Sequence, residues 1–247
     1  MIIMDDGIQL NAQLDLPEDG RKKCPVVVII HGFTGNMNEW HISETSRALN
    51  RIGFATLRAD MYGHGSSDGE FRNHTLFKWM NNAMTLIDYA RHLDFTDHIY
   101  LLGHSQGGLT AMLAAALKHD VVKGLVTLAP AWMIPEGART GNLLGQKFDP
   151  DHLPEYLPAW NGQILDSNYI RVAQMIRVEE YIRCYQGPVL VVHGGDDGAV
   201  PVHFGREAAR LYQNAELAEI PGDGHCFEHH LDMAIEAVTK WMSKYSG

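Results

Sequence analysis

The 247-residue sequence contains few cysteines and no cluster of basic residues. Its three cysteines, Cys24, Cys184 and Cys226, have no close spacing, so we predict free thiols rather than a disulfide framework. Lysine and arginine number 20 against 30 aspartates and glutamates, which gives a formal net charge of −10. This balance excludes nucleic acid as an expected partner, because binding to phosphates requires clustered positive charge.

Long apolar runs are also missing from the sequence. No stretch reaches the roughly 18 apolar residues of a membrane-spanning helix, so we expect no membrane partner. Residues 1–20 have neither the basic start nor the apolar run of a secretory signal, and we therefore expect a cytoplasmic protein. Hydrophobic residues make up 45% of the chain and charged residues 20%, which is ordinary for a globular enzyme with a sizeable core.

Short apolar runs alternate with helical patterns along most of the chain. Residues 1–16 alternate around a turn and predict a hairpin at a sheet edge. Further strands are predicted over 25–31, 54–60, 98–104, 121–130, 187–195 and 215–222. Helices are predicted over 38–51, 75–93, 106–118, 203–213 and 228–245. This alternation indicates the α/β class, with a mostly parallel central sheet and helices on both faces.

Residues 131–186 interrupt the alternation of strands and helices. This segment is rich in proline, glycine and aromatic residues, and it shows no clear strand pattern. We expect a single domain over residues 1–247, in which the segment is an insertion that forms a lid over the site.

The strongest motif is GHSQG at residues 103–107, which matches the pattern G-x-S-x-G. A buried strand is predicted before the motif and a helix after it. In that context the serine occupies a sharp turn that exposes its hydroxyl, and the glycines leave room for the turn. We predict that Ser105 is a nucleophile; the alternative is a simple Gly-Ser turn that leads into a helix.

A serine hydroxyl is a weak nucleophile and needs a base, which in turn is oriented by an acid. After a G-x-S-x-G elbow, the acid comes next along the chain and a histidine follows. The segment HGGDDGAVP (193–201) follows a predicted strand, and the spacing G-x-x-D-x-x-V-P selects Asp197 as the acid. Its neighbour Asp196 competes for this role.

The base is expected after the last strand, in the glycine-rich segment GDGHCF (222–227). This position selects His225 from the 14 histidines of the chain. A zinc site formed by His225, His229 and His230 is an alternative, but no HExxH pattern accompanies these residues. We expect His229 and His230 to lie on the surface of the closing helix.

The tetrahedral intermediate of acyl transfer needs two hydrogen-bond donors for its oxyanion. We predict that one donor is the backbone N–H of Gln106 and that the other is the N–H of Phe33, in the loop HGFTG (31–35). The glycine-rich loop DMYGHGSSDG (60–69) lacks the spacing of a phosphate-binding loop, and we assign it a structural role.

The segments HGFTG, RADMYGHGSSDG, GHSQGG, HGGDDGAVP and GDGHCF together resemble those of bacterial cinnamoyl and feruloyl esterases of the α/β-hydrolase superfamily. The resemblance extends through the insertion. It implies a lid that binds the phenolic end of the acyl group, with Trp160 lining an aromatic pocket and Tyr169 hydrogen-bonding the phenolic oxygens. Gln146 is a further candidate for this contact. For each of these residues, packing within the lid is the alternative.

The resemblance implies hydrolysis of hydroxycinnamate esters through an acyl-enzyme, with no metal and no organic cofactor. Three alternatives stay open: a general carboxylesterase for short or medium aliphatic acyl groups, a serine peptidase or other amide hydrolase, and a scaffold that only binds ligands. The sequence does not distinguish among the hydroxycinnamates, nor a monomer from a homodimer.

Overall fold

The structure, a computed structural model, describes residues 1–159 and 162–245. Its strands are β1 (Ile2–Asp5), β2 (Ile8–Asp15), β3 (Cys24–Ile30), β4 (Ala55–Ala59), β5 (Thr96–His104), β6 (Val122–Leu128), β7 (Asn142–Leu143), β8 (Gln146–Lys147), β9 (Tyr156–Pro158), β10 (Ile164–Asp166), β11 (Val189–Gly194) and β12 (Ala215–Ile220). Its helices are α1 (Trp40–Arg51), α2 (Leu76–Arg91), α3 (Gln106–Leu117), α4 (Ile134–Thr140), α5 (Ser167–Met175), α6 (Val178–Cys184), α7 (His203–Leu211) and α8 (Leu231–Tyr245).

Eight of these strands form one central sheet, in the order β1-β2-β4-β3-β5-β6-β11-β12. The hairpin β1-β2 lies at one edge, and β2 runs antiparallel to β4. Every other neighbouring pair in this sheet is parallel. The predicted α/β class with a mostly parallel sheet is confirmed.

Both faces of the sheet are buried, and β3 shows why its sequence is continuously apolar. Val26, Val28 and Ile30 belong to one hydrophobic cluster, whereas Val27 and Ile29 belong to a second cluster on the opposite face. Helices α2, α3 and α7 contribute to the first cluster, and α1 and α8 to the second. The parallel strands therefore end at one edge between two helical layers, where α/β folds place their ligands.

The insertion between β6 and β11 contains α4, α5, α6 and two small antiparallel sheets, β7-β8 and β9-β10. The sequence of this segment shows no clear strand pattern, although the structure contains four short strands there. Each of its strands is only two or three residues long, which is too short for a period of two to appear in the sequence. Helix α5 packs against α2 and α4, and α6 packs against α3, so the insertion rests on helices of the core. No described helix is long and apolar enough to cross a membrane.

Three buried histidines lie around Trp79 beneath the loop that follows β4. The rings of His31 and His64 lie 5.1 and 4.9 Å from the Trp79 ring, and His74 lies 5.0 Å from His64. Burial lowers the pKa of His31 to about 3, of His64 to about 4 and of His74 to about 3. All three rings are therefore neutral in the folded protein at neutral pH.

We expect this cluster to make the fold sensitive to mild acid. In the unfolded chain each ring takes up a proton below an ordinary pKa of about 6.5, whereas in the folded chain it does so only near 3 or 4. The stabilisation is therefore complete above about pH 6.5 and is lost as the pH falls toward 4. These three rings together should lower the free energy of unfolding by about 4 kcal/mol between pH 7 and about pH 5.5. Urea unfolding at several pH values measures this.

The His64→Gln variant provides the control, since it keeps only two of the three rings. Its free energy of unfolding should therefore fall by about 1.3 kcal/mol less than that of the wild type over the same interval, which is the share of one ring. A wild-type stability that does not change over this interval would contradict the expectation.

Candidate active site

Ser105 lies on a sharp turn between the last residue of β5 and the first residue of α3. Its backbone has φ +54° and ψ −121°, a conformation that is strained for a residue with a side chain. The surrounding chain holds this conformation: the Ser105 N–H donates to the carbonyl of Leu128 at 2.9 Å, and the Ser105 carbonyl accepts from the N–H of Ala131 at 3.0 Å. These contacts fix the hydroxyl at the carboxyl edge of the sheet.

The glycines on either side of Ser105 allow main-chain segments to approach each other closely. A Cβ atom at Gly107 would lie 2.2 Å from the carbonyl oxygen of His31, and one at Gly103 would lie 2.2 Å from the carbonyl oxygen of Gly107. Both oxygens belong to the backbone and cannot move aside easily. The motif therefore contains glycine at these positions for a steric reason.

The structure brings the three predicted triad residues together. His225 Nε2 lies 2.9 Å from Ser105 Oγ, and His225 Nδ1 lies 2.7 Å from Asp197 Oδ2. Both distances are within hydrogen-bond range, so the serine hydroxyl can donate to Nε2 while Nδ1–H donates to the carboxylate. Asp196, the competing acid, is exposed.

The carboxylate of Asp197 is fully buried and accepts several hydrogen bonds. Oδ1 accepts the N–H groups of Ala199 and Val200, each at 2.8 Å. Oδ2 contacts His225 and also lies 3.3 Å from Nε2 of His193. Burial alone would raise the pKa of Asp197, but the hydrogen bonds from His193 and His225 hold it below its ordinary value. The group is therefore a carboxylate at neutral pH.

The loop that carries His225 is shaped by Asp223, which the sequence analysis did not identify. Asp223 is fully buried, and its carboxylate accepts the N–H groups of Gly224, His229 and His230. His229 and His230 are exposed, as predicted, but they precede α8 rather than lie within it. The Asp in GDGH could have been recognised as a residue that bonds nearby backbone N–H groups.

The two predicted oxyanion donors lie on either side of the elbow. Gln106 is the first residue of α3, so its N–H has no partner from within the helix. Phe33 lies in the loop after β3, which is held in place by His31. The His31 ring accepts the N–H of Met61 at 3.0 Å through Nε2, and its Nδ1–H donates to the carbonyl of Gly32 at 2.8 Å. The glycine-rich loop that contains Met61 thus supports the oxyanion loop, while the donor role itself stays a prediction.

A cavity of about 720 Å³ opens beside Ser105 and His225. This volume is typical of sites for small molecules. Core loops form one wall and the insertion forms another. The lining is largely apolar, with side chains such as Phe33, Met133, Ile134, Leu143 and Phe204. It also includes the acidic residue Glu39 but, among the described residues, no lysine or arginine.

The predicted lid residues occupy three different settings. Tyr169 in α5 is fully buried and does not line the cavity; its hydroxyl donates to Gln106 Oε1 at 2.6 Å. Burial raises the pKa of Tyr169 far above its ordinary value, so the hydroxyl stays protonated. Gln146 in β8 is half-buried and also lies outside the cavity wall. Trp160 lies outside the described residues. A substrate contact for each of the three stays a prediction.

We expect Tyr169→Phe to lower the free energy of unfolding by about 1–3 kcal/mol. The Gln106 side chain would lose its partner for Oε1, and its Nε2 already has none among the described residues. A buried amide without partners is costly because folding removes its bonds to water. Urea unfolding measures this loss. Tyr156→Phe, which removes the hydroxyl of an exposed tyrosine in β9, is the control for the general effect of replacing tyrosine by phenylalanine. Equal stability of the two variants would rule out this role of the hydroxyl.

Comparison with known proteins extends this description to the whole chain. A family model described as serine aminopeptidase, S33 matches residues 21–221. Est1E from Butyrivibrio proteoclasticus, solved with ferulic acid bound, is 55% identical to this chain and has a TM-score of 0.98, with 99% of this chain and 98% of that chain covered. Another Est1E structure gives 52% identity, a TM-score of 0.94 and the same coverage. The mouse sn-1-specific diacylglycerol lipase ABHD11 is 24% identical over 266 residues, which is 91% of this chain and 83% of that protein. The similarity to Est1E therefore includes the insertion.

Proposed function

The chain belongs to the serine aminopeptidase S33 family within the α/β hydrolases. We propose that it is a serine esterase that hydrolyses hydroxycinnamate esters such as those of ferulic acid. One observation carries this proposal. The hydrogen-bonded chain Ser105–His225–Asp197 borders a cavity in a protein that is 55% identical to Est1E, which was solved with ferulic acid bound. The resemblance to cinnamoyl and feruloyl esterases indicated by the sequence is confirmed by this comparison.

In the proposed first step, Ser105 Oγ attacks the ester carbonyl while His225 Nε2 takes the hydroxyl proton. The distance of 2.9 Å between these atoms suits direct proton transfer. The carbonyl oxygen becomes an oxyanion, which accepts the N–H groups of Phe33 and Gln106. The intermediate then collapses, and the imidazolium of His225 donates its proton to the departing alcohol. The product of this step is an acyl-enzyme on Ser105.

In the second step, water attacks the acyl-enzyme and His225 accepts the proton of that water. The oxyanion forms again at the same N–H groups, and Ser105 leaves with the proton from His225. Throughout both steps Asp197 keeps a proton on Nδ1 of His225, so that Nε2 has the lone pair needed for a base. The carboxylate also stabilises the charged imidazolium.

We propose that the insertion is a lid that shapes the site for the acyl group. Support comes from the cavity wall, where Met133, Ile134 and Leu143 of the insertion face the loops of the core. Apolar side chains of this kind suit a flat, largely apolar hydroxycinnamoyl group. Tyr169 would have to exchange its bond to Gln106 for one to a phenolic oxygen, and Trp160 and Gln146 remain candidates for that end of the pocket.

A pair of esters with the same leaving group tests the substrate class. We expect kcat/KM for 4-nitrophenyl ferulate to exceed that for 4-nitrophenyl butyrate by at least about tenfold, which corresponds to about 1.4 kcal/mol in transition-state binding. Because the leaving group is shared, the ratio reports the acyl part of the ester, and a preference for the ferulate must come from the acyl pocket because its conjugated carbonyl is the less reactive one. A ratio in favour of the butyrate would make the protein a general carboxylesterase.

Because the matched family is described as serine aminopeptidases, hydrolysis of amides must also be tested. We expect an aminoacyl 4-nitroanilide to be hydrolysed far more slowly than 4-nitrophenyl ferulate by the same preparation. If the anilide were the better substrate, and if Ser105→Ala abolished its hydrolysis, the assignment of the catalytic triad would be correct but the protein would be an amide hydrolase.

A further inference from the structure

Three side chains with metal-binding donor atoms meet next to the active site, and the proposed mechanism uses none of them. His41 lies in the first turn of α1, His104 is the last residue of β5, and Cys226 follows His225. One nitrogen of each histidine and the sulfur of Cys226 all lie within 4.8 Å of one another. We call this group the His-His-Cys cluster.

Each of the two histidines has one ring nitrogen that forms no hydrogen bond with a described residue. His104 is 3% exposed, and its Nε2 lies 2.9 Å from the carbonyl oxygen of His225. A carbonyl can only accept, so Nε2 carries the proton and Nδ1 has a free lone pair. Within the described residues, 1–159 and 162–245, that Nδ1 atom has no hydrogen-bond partner, and neither has Nε2 of His41, which is 4% exposed. A buried polar atom without a partner typically costs about 1–3 kcal/mol, so two such atoms side by side suggest a common function.

The cluster is also accessible and has space around its donors. Cys226 is half-buried and lines the cavity, which gives an ion a path from solvent. Gly32 lies against His104, where a Cβ atom would be 2.9 Å from Nδ1. The lack of a side chain at Gly32 therefore leaves this nitrogen uncovered on that side.

We propose that His41, His104 and Cys226 form a binding site for a thiophilic divalent cation of the Zn²⁺ type. Two imidazole nitrogens and one thiolate are donors that Zn²⁺ prefers, and three protein ligands leave one position open for water. Ligand atoms around tetrahedral zinc are about 3.3–3.6 Å apart, so the side chains would draw together by about 1 Å on binding. In this step the S–H bond of Cys226 breaks, a sulfur–metal bond forms, and the proton passes to solvent.

Occupation of the site would inhibit the esterase, a consequence that rests on the proposed function. The rings of His104 and His225 lie 4.8 Å apart, and Cys226 is the next residue after His225. A cation at the cluster would oppose the positive charge that His225 acquires when it takes the proton of Ser105. The bound ion would also reduce the width of the cavity at Cys226, which lines it.

Direct binding of Zn²⁺ tests the site independently of any activity. Isothermal titration of the full chain with ZnCl₂, without added thiols, should give one ion per chain. We expect Cys226→Ser and His41→Gln to weaken binding by more than about tenfold, because each removes one ligand. Cys184→Ser is the matched control, since Cys184 is free and exposed and should not affect binding. Co²⁺ in place of Zn²⁺ should give a thiolate charge-transfer absorption in wild type that Cys226→Ser lacks.

Several results would overturn the site: no Zn²⁺ binding, equal binding by wild type and Cys226→Ser, or loss of binding in His229→Gln alone. The last result would point instead to a site formed by His225, His229 and His230. Thermal unfolding of His41→Gln and Cys226→Ser identifies a variant that has failed to fold.

Inhibition is measured on 4-nitrophenyl butyrate, and each variant is compared with its own rate without metal. Zn²⁺ should inhibit wild type and Cys184→Ser at the concentrations at which it binds, and Cys226→Ser only at more than about tenfold higher concentration. Because binding and butyrate hydrolysis are separate readouts, failure of the metal site is distinguishable from failure of the feruloyl preference.

Discussion

Replacement of Ser105 by alanine is expected to lower kcat for 4-nitrophenyl ferulate by about 10⁶-fold. The variant lacks the atom that attacks the ester and forms the acyl-enzyme, so only oxyanion binding and substrate binding remain. The fold should survive, because alanine keeps the Cβ atom at this strained turn, and the only hydrogen bond of Oγ within the described part of the chain is with His225. Initial rates test the loss of kcat, and circular dichroism with urea unfolding tests whether the fold is kept.

Ser66→Ala is a suitable control, since Ser66 is an exposed serine in the glycine-rich loop 60–69 and does not line the cavity. It should retain the wild-type rate. Near-full turnover by Ser105→Ala would show that another residue is the nucleophile, and the elbow would then have only a structural role.

The second large effect is expected for Asp197→Asn, which should lower kcat by about 10⁴-fold. The amide is nearly isosteric with the carboxylate, so the contacts with the N–H groups of Ala199 and Val200 can be kept through its oxygen. Its NH₂ group would then face His225 Nδ1, 2.7 Å away in the wild type, and would donate to it. This places the imidazole proton on Nε2, where it faces Ser105 Oγ and prevents the ring from acting as a base.

Asp196→Asn is the matched control, because Asp196 is the adjacent acid and is exposed. We expect it to retain the wild-type kcat. Equal losses in the two variants would indicate a general effect of charge in this loop, and a larger loss in Asp196→Asn would reverse the assignment of the acid.

The central sheet was predictable because each core strand is buried on both faces. A strand such as β3 is apolar at every position, and this pattern contrasts with the helical periodicity on either side. The triad was predictable because each member follows a strand in a short motif, and the carboxyl ends of parallel strands meet at one edge. Asp197 was selected over Asp196 by spacing alone, and the structure places Asp197 against His225.

The insertion was less predictable because its structure depends on packing against the core. Its strands are too short to produce a pattern, and the sequence does not indicate which side of α5 faces inward. Tyr169 therefore could not be identified as a partner of Gln106, and the resemblance implied instead that its hydroxyl bonds the phenolic oxygens of a substrate. The contact of His104 with the His225 carbonyl could not be predicted either, because it joins residues that are 121 positions apart in the chain.

Labelling with a fluorophosphonate, in the presence and absence of ferulic acid, tests both the nucleophile and the acyl pocket. We expect one covalent label per chain, located on Ser105 by peptide mapping and absent from Ser105→Ala. Ferulic acid should slow this labelling, and butyric acid at the same concentration should not, because the acyl pocket is proposed to fit a hydroxycinnamoyl group. A label on any other residue would contradict the assignment of Ser105 as the nucleophile. Labelling of Ser105 that ferulic acid does not slow would contradict the proposed acyl pocket.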